Sequence, residues 1–237
     1  MKFGVVVFPG SNCDHDTIYT LKEILDQEVI ELWHKDTSIQ DVDVVVLPGG
    51  FSYGDYLRSG SIARFSNIME QVILFAKKGG VVLGICNGFQ VLCEAGLLPG
   101  ALLHNKNQKF ICKNTFILAD NNESAINVLL DKNKPLKIPI AHGEGRYYAS
   151  EETLSEMRQN GQILFRYCNQ NGDISELYNP NGSVENIAGV CNEDKNVFGM
   201  MPHPERASDD ELGNTDGKVI LESLIKTLEE KKVSSYN

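Results

Sequence analysis

Residues 81–92 run Val-Val-Leu-Gly-Ile-Cys-Asn-Gly-Phe-Gln-Val-Leu, so an apolar segment leads into a helical pattern through one cysteine set between glycines. The segment Val81 to Ile85 is typical of a strand that is buried on both faces of a parallel sheet. The flanking glycines permit a tight turn, and the stretch therefore predicts the strand, turn and helix of a nucleophile elbow. Cys86 would then stand at a helix N-terminus, where the partial positive charge favours a reactive thiolate. A buried packing role is the usual alternative for a free cysteine.

Upstream of this stretch, apolar strand patterns alternate with segments of helical spacing. Strands are predicted at Phe3 to Phe8, Val29 to Trp33 and Val42 to Leu47, and helices at Asp14 to Gln27 and Ile62 to Lys78. Strands that alternate with helices predict a parallel sheet with right-handed crossovers, and such sheets bind ligands at the carboxyl ends of their strands. The loops at 48–55 and 84–88 are therefore the candidate site.

The second half of the chain predicts shorter strands separated by Asn, Gly and Asp turns. These strands are Phe110 to Leu118, Lys137 to His142, Ile163 to Cys168, Ile187 to Cys191 and Val197 to Met201. A last helix is predicted from Gly217 to Glu230, followed by a frayed tail from Val233 to Asn237. The expected fold is one α/β domain over residues 1–237: a mostly parallel central sheet with helices on both faces plus a short antiparallel extension.

Composition and charge exclude several classes of function. The net charge is -10 and the Lys and Arg residues are scattered, so there is no basic footprint for nucleic acid. The apolar runs are too short to span a bilayer, and the N-terminal segment lacks the features of a signal peptide. Six cysteines without a C-x-x-C pair predict free thiols in a reducing cytoplasm rather than a zinc site or a disulfide framework. Packing roles are expected for Cys93, Cys112, Cys168 and Cys191.

A cysteine nucleophile needs a base, and the segment Met-Pro-His-Pro-Glu-Arg at 201–206 supplies His203. Its two prolines disfavour the helical region for the residues before them, so the segment is expected to be extended and not helical. Residues two apart then face the same way, which places Glu205 beside His203. Glu205 would orient the imidazole while the other ring nitrogen faces the thiol. A solvated surface turn is the alternative, but an elbow cysteine in the same chain favours the triad.

Acyl transfer also requires donors for a tetrahedral oxyanion. The backbone N–H of Asn87, directly after the nucleophile, is one predicted donor. The Pro-Gly-Gly-Phe loop at 48–51 can supply the second from Gly50, because glycines let a backbone N–H approach a ligand closely. A plain tight turn would explain this loop equally well if it stood alone.

These motifs together resemble the class I, or triad, glutamine amidotransferases, which combine G-x-C-x-G-x-Q, a P-G-G loop and a late H-P-E. The resemblance implies a flavodoxin-like fold and makes Gln90 a contact of the substrate glutamine. Further stretches resemble one branch of the family, whose glutaminases serve an ATP-dependent ligase of purine biosynthesis. They are residues 8–14, 47–58, 84–90, 141–145, 179–183 and 201–206. Residues 114–137 depart from the family pattern, as does His104 near an expected arginine.

The resemblance implies that the Cys86 thiolate attacks the side-chain amide of L-glutamine and that His203 protonates the departing ammonia. A synthetase subunit, joined by a small third subunit, would use the ammonia to convert formylglycinamide ribonucleotide to formylglycinamidine ribonucleotide. No G-x-x-x-x-G-K-[ST] motif occurs, so ATP and Mg are expected in that partner, and no cofactor or metal is expected in this chain. Phe51 and His142 are further candidate glutamine contacts. His142 and Glu144 are alternatively partner contacts or parts of a turn.

Three alternatives compete with this interpretation. A triad glutaminase that feeds a different synthetase would share the three motifs, although the Ala-His-Gly-Glu-Gly and Asn-Pro-Asn-Gly-Ser stretches argue against it. A stand-alone elbow-cysteine hydrolase would lack the late H-P-E as the source of its base. A regulatory module with a vestigial triad would lack the nucleophile or the base, and both are present here.

Overall fold

The structure, a computed structural model, describes residues 1–121 and 123–235 and is built around two β-sheets. The strands are β1 Lys2–Val7, β2 Glu28–Trp33, β3 Val44–Leu47, β4 Val81–Ile85, β5 Ala101–Leu103, β6 Ile111–Ala119, β7 Leu136–His142, β8 Arg146–Tyr148, β9 Ile163–Cys168, β10 Ile187–Cys191 and β11 Val197–Met200. The α-helices are α1 Asp14–Tyr19, α2 Asn67–Lys77, α3 Asn87–Glu94, α4 Glu151–Gln159 and α5 Lys218–Ser235.

The larger sheet has nine strands in the order β2-β1-β3-β4-β11-β10-β9-β6-β7. The first five are parallel to one another, and each later neighbour pairs antiparallel. Strands β5 and β8 form a separate antiparallel pair. The predicted α/β class is confirmed, and the antiparallel extension is larger than expected because four strands continue the same sheet.

The two parts of the large sheet differ in how they meet solvent. Every residue of β3 and β4 is buried, as expected for parallel strands that are covered on both faces. Strand β7 alternates instead: Leu136, Ile138 and Ile140 are buried, whereas Lys137 is exposed. One face of the antiparallel part is therefore more open than the other, which explains the polar alternation of its sequence.

Two predicted helices are interrupted. The first is α1 followed by a π-helical turn at Thr20–Ile24. The second begins as a 3₁₀ turn at Ala63–Phe65 and continues as α2 after Ser66, whose ψ of 152° is extended. Ser66 donates from its hydroxyl to the Ala63 carbonyl, a local bond of the kind that competes with helix continuation.

The predicted frayed tail is wrong for residues 233–235, because α5 continues to Ser235. Glu and Lys residues are good helix formers, and Lys226 and Glu230 form an i,i+4 pair at 4.0 Å. Lys232 anchors this part of the helix to Asp43 at 2.7 Å. The rest of the predicted tail, Tyr236 and Asn237, lies outside the described residues. Within the described ranges, no helix has the length and apolar character required to cross a membrane.

The expected packing role is wrong for Cys112, which is exposed on β6. A strand pattern does not reveal which of its faces is covered, and this one places the thiol outside. Cys168 and Cys191 are buried, and Cys93 is partly buried. Burial raises the pKa of the Cys191 thiol to about 11, which favours the protonated thiol there.

Candidate active site

Cys86 occupies a strained turn between β4 and α3. Its φ of 50° lies in the left-handed region, which a side chain other than glycine rarely adopts. The turn needs a glycine at position 88, because a Cβ there would overlap the carbonyl oxygen of Leu47 at the end of β3. The predicted strand, tight turn and helix are confirmed, and the Cys86 Sγ lies 3.7 Å from the Ala141 carbonyl oxygen.

The predicted base, His203, follows the neighbouring strand. Gly199 and Met200 of β11 pair in parallel with Gly84 and Ile85 of β4, so both strands end at the same edge of the sheet. His203 follows β11 by three residues, and its backbone N–H donates to the Pro139 carbonyl at 2.9 Å. The topology thus places a histidine from the end of the chain beside a cysteine from its middle.

His203 and Glu205 form a buried pair. The Nδ1 of His203 lies 2.6 Å from Oε1 of Glu205, and the two residues are 1% and 2% exposed. Their predicted proximity is confirmed, but the predicted extended backbone is wrong because Pro204–Arg206 forms a 3₁₀ turn. Proline suits this turn because its fixed φ matches the first position of a helix. His203 itself stays non-helical at φ -101° and ψ 88°.

The charge on the imidazole follows from these neighbours. Burial alone would lower the pKa of His203, but the negative charges of Glu205 and of a Cys86 thiolate outweigh it and raise the pKa well above 6.5. The ring is therefore held as an imidazolium at neutral pH, ready to donate a proton.

A second thiol, which the sequence analysis did not assign, lies against this pair. The Cys13 Sγ, a ring nitrogen of His203 and a carboxylate oxygen of Glu205 lie within 4.8 Å of one another. Arg206 donates from Nη2 to the Cys13 Sγ at 3.1 Å and from Nε to Asp16 at 2.9 Å. The guanidinium charge at Cys13 disfavours a metal cation here. The sequence feature that could have placed Cys13 here is its position after β1, because the carboxyl end of β1 lies at this edge of the sheet.

The loop predicted to supply an oxyanion donor packs directly on His203 of the predicted triad. A Cβ at Gly49 would lie 2.6 Å from Cε1 of His203, and Gly50 has a φ of 131° that favours glycine. Ser52 donates from its backbone N–H to Oδ1 of Asn87 at 3.1 Å. This bond holds the loop against the start of α3, so Gly50 and Asn87 are in the same part of the site. Phe51 is 44% exposed and lies beside Phe110.

Gln90, the predicted glutamine contact, is buried and bonded at both ends of its amide. Its Nε2 donates to the Glu144 carbonyl at 2.6 Å, and its Oε1 accepts from Nδ2 of Asn87 at 2.9 Å. Asn87 also donates to Asp55 at 3.1 Å. Burial raises the pKa of Asp55 to about 6, and the nearby charge of Glu144 adds to this effect, although hydrogen bonds from Ser59 and Asn87 oppose it.

His142 ends β7 beside Ala141, the residue whose carbonyl faces Cys86. It is 3% exposed, and its Nδ1 lies 3.0 Å from Oδ1 of the fully buried Asn105. Burial lowers the pKa of His142 to about 4, and the charge of His203 adds to this shift. The imidazole is therefore neutral where that of His203 is charged. Sequence reasoning missed Asn105, because its function depends on a contact with a distant segment.

An elbow cysteine and a buried His–Glu pair at one edge of this sheet match the arrangement expected of a triad glutamine amidotransferase. The chain matches the model of the CobB/CobQ-like glutamine amidotransferase domain over residues 1–219. It is 54% identical to the phosphoribosylformylglycinamidine synthase subunit PurQ of Salinibacter ruber over 94% of this chain and 95% of the relative. The corresponding PurQ of Moorella thermoacetica is 55% identical, with 95% of each chain covered. The chain belongs to this amidotransferase family and, within it, to the group of PurQ subunits.

One solved structure agrees with this placement, and a second shares the fold. A chain of PurLQS from Thermotoga maritima superposes with a TM-score of 0.84 and 41% identity, covering 96% of this chain and 98% of that one. A putative GMP synthase subunit from Thermoplasma acidophilum superposes with a TM-score of 0.60 at 16% identity, covering 100% of this chain and 98% of that one. The second match shows the shared fold alone.

Proposed function

We propose that this chain is the glutaminase subunit of a phosphoribosylformylglycinamidine synthase, hydrolysing L-glutamine to glutamate and ammonia. The observation that carries the proposal is the buried His203–Glu205 pair, at 2.6 Å, at the strand edge that also presents the Cys86 elbow. Relatives more than half identical along nearly the whole chain support the choice of synthase. A stand-alone elbow-cysteine hydrolase is less well supported, because it would not need the late His-Pro-Glu segment.

The proposed reaction has two halves. The Cys86 thiolate attacks the side-chain carbonyl carbon of glutamine, and the C–N bond breaks as His203 gives its proton to the departing nitrogen. A glutamyl thioester and ammonia result. His203 then takes a proton from water, whose oxygen attacks the thioester, and the C–S bond breaks to release glutamate. Glu205 stays ionised and orients the imidazole throughout.

The remaining predicted residues have binding roles in this proposal. The backbone N–H groups of Gly50 and Asn87 stabilise the tetrahedral oxyanion. Gln90, Phe51 and His142 contact the bound glutamine. The Gln90 amide uses one N–H on the Glu144 carbonyl and one lone pair on Asn87, so its second N–H and its second lone pair stay available for substrate contact.

The ammonia passes to a partner in the proposed complex. A solved relative is described as PurLQS, and we propose an equivalent synthetase subunit and a small third subunit for this chain. ATP and Mg would bind in the synthetase, which converts formylglycinamide ribonucleotide to formylglycinamidine ribonucleotide. We further propose that the chain acts in the cytoplasm and folds as one domain.

Labelling with the glutamine-like electrophile diazo-oxo-norleucine tests the proposal. We expect one adduct on Cys86, located by peptide mass spectrometry and prevented by excess glutamine, in the presence of the synthetase partner. The exposed thiol of Cys112 is the most accessible competitor, so Cys112→Ser serves as the matched background. Glutamine-protected labelling that persists in Cys86→Ala, or labelling at another cysteine, would remove the nucleophile assignment.

A further inference from the structure

One ring nitrogen of a buried histidine beside the predicted catalytic residues is unpaired. The Nε2 of His142 is buried and has no hydrogen-bond partner among the residues that the structure describes. Buried polar atoms are nearly always bonded, so an unpaired one beside a reactive site points to a ligand. The question is whether this nitrogen offers a proton or a lone pair.

The hydrogen-bond network of Asn105 answers it. Its Nδ2 donates to the carbonyl oxygens of Lys109 and His142, each at 2.8 Å. Carbonyl oxygens only accept, so the orientation of this amide is fixed. Its Oδ1 therefore faces the Gly145 N–H at 3.0 Å and Nδ1 of His142 at 3.0 Å. An amide oxygen also only accepts, so Nδ1 of His142 carries the hydrogen.

The remaining nitrogen must be a bare acceptor in the neutral ring. Burial, assisted by the charge of His203, lowers the pKa of His142 to about 4, which keeps Nε2 unprotonated at neutral pH. The ring also packs so closely against Gly145 that a Cβ there would overlap it, and this contact holds the ring in place. His142 thus presents a lone pair of fixed direction.

The neighbours of His142 place it close to the proposed reaction. Ala141, the preceding residue, faces the Cys86 Sγ with its carbonyl at 3.7 Å, and Pro139 of the same strand accepts from the His203 N–H. His142 is near enough to feel the charge of His203. In the proposed glutaminase reaction, the group between the nucleophile and the acid is the side-chain amide nitrogen, which bears two N–H bonds.

We propose that Nε2 of His142 accepts a hydrogen bond from the departing nitrogen of glutamine. One N–H held by His142 fixes rotation about the C–N bond of the tetrahedral intermediate, so that the nitrogen lone pair faces the proton of His203. His142 gains no proton in this step, because its basicity is far below that of the amine. The inference rests on the proposed function and deepens it.

The test compares two substrates in the variant His142→Asn. Asparagine retains a donor at the position of Nδ1 and keeps the bond to Asn105, but it lacks an acceptor at the position of Nε2. We expect its kcat/KM for glutamine to fall at least about tenfold. The γ-methyl ester of glutamate has no N–H on its leaving group, so its kcat/KM should change by less than about twofold.

The ratio of the two kcat/KM values, measured with the synthetase partner present, does not depend on how much of a variant is folded. His142→Gln restores an acceptor and should recover part of the ratio, and Cys112→Ser should leave it unchanged. Equal losses on amide and ester, or no loss on glutamine, would overturn the inference while leaving the glutaminase intact. A wild-type complex that consumes neither substrate would overturn the proposed function as well.

Discussion

Nδ1 of His203 lies 2.6 Å from Oε1 of Glu205 in a region where neither residue is more than 2% exposed. A charge-assisted bond at this distance, with little competing water, couples the protonation of the ring to the carboxylate. The coupling makes the proposed division of labour in the triad measurable.

Glu205→Gln should lower the pKa of His203, because it removes the carboxylate charge that opposes the effect of burial. It also places an amide against Nδ1 and favours the wrong tautomer, so kcat for glutamine should fall by roughly 10²- to 10⁴-fold. Nitrogen NMR titration and a pH–rate profile check the two effects. An unchanged pKa of His203 would contradict the coupling, and the exposed Glu229→Gln is the matched control.

Cys86→Ala should abolish glutamine-dependent synthesis by at least about 10⁴-fold, because no other group forms the thioester. Synthesis from added ammonia should be retained, since the proposed synthetase site is in another subunit. Parallel assays of the complex with glutamine and with ammonium chloride check this. Loss of both activities would mean that Cys86 has a structural role in the complex.

Acid should destabilise the fold because the unfolded chain takes up a proton at His142 more readily than the folded chain does. Its folded pKa of about 4 lies below 6.5, so the unfolded state binds the extra proton between these values. Stability is therefore complete above about pH 6.5 and is lost as pH falls toward 4, by about 3 kcal/mol from this residue. The free energy of unfolding, measured with urea from pH 7 to 4, should fall less steeply with pH in His142→Asn than in the wild type. The exposed His15→Asn should keep the wild-type slope.

Gly88→Ala should destabilise the fold by about 3 kcal/mol or more, since its Cβ would overlap the Leu47 carbonyl oxygen at the end of β3. Gly143→Ala is the matched control, because the nearest atom to its Cβ would be Cδ2 of Phe110 at 3.8 Å. The control should stay within about 0.5 kcal/mol of the wild type. Thermal or urea unfolding measures both, and equal stabilities would show that helix α3 can move away from β3 at little cost.

The elbow was predictable because its signal is local: Val81 to Ile85 are apolar, and Gly84 and Gly88 bracket the turn. The pairing of His203 with Glu205 was also predicted, although the backbone between them was not. Pro204 fixes one dihedral angle, and that value is compatible with both an extended segment and a 3₁₀ turn. Tertiary bonds such as that of His203 to Pro139 decide between the two.

Other features have no local signal. Helix α4 was missed because only Leu154 and Met157 are buried along its charged sequence. Asn105 acquires its importance from His142 and Gly145, which are far away in the chain. A single sequence also does not reveal which face of β6 is covered, which is why Cys112 was misassigned.

The strand that precedes His203, β11, lies in the interior of the large sheet, between β4 and β10. It is also the last strand of the described residues, so during synthesis Cys86 emerges from the ribosome long before His203. Such a distant strand pairing is entropically costly and forms slowly. A nascent or half-folded chain therefore holds Cys86 without its imidazolium neighbour. Glutamine-protected labelling of that thiol would then begin only once β11 has paired between β4 and β10. The same reagent would therefore follow folding as well as catalysis.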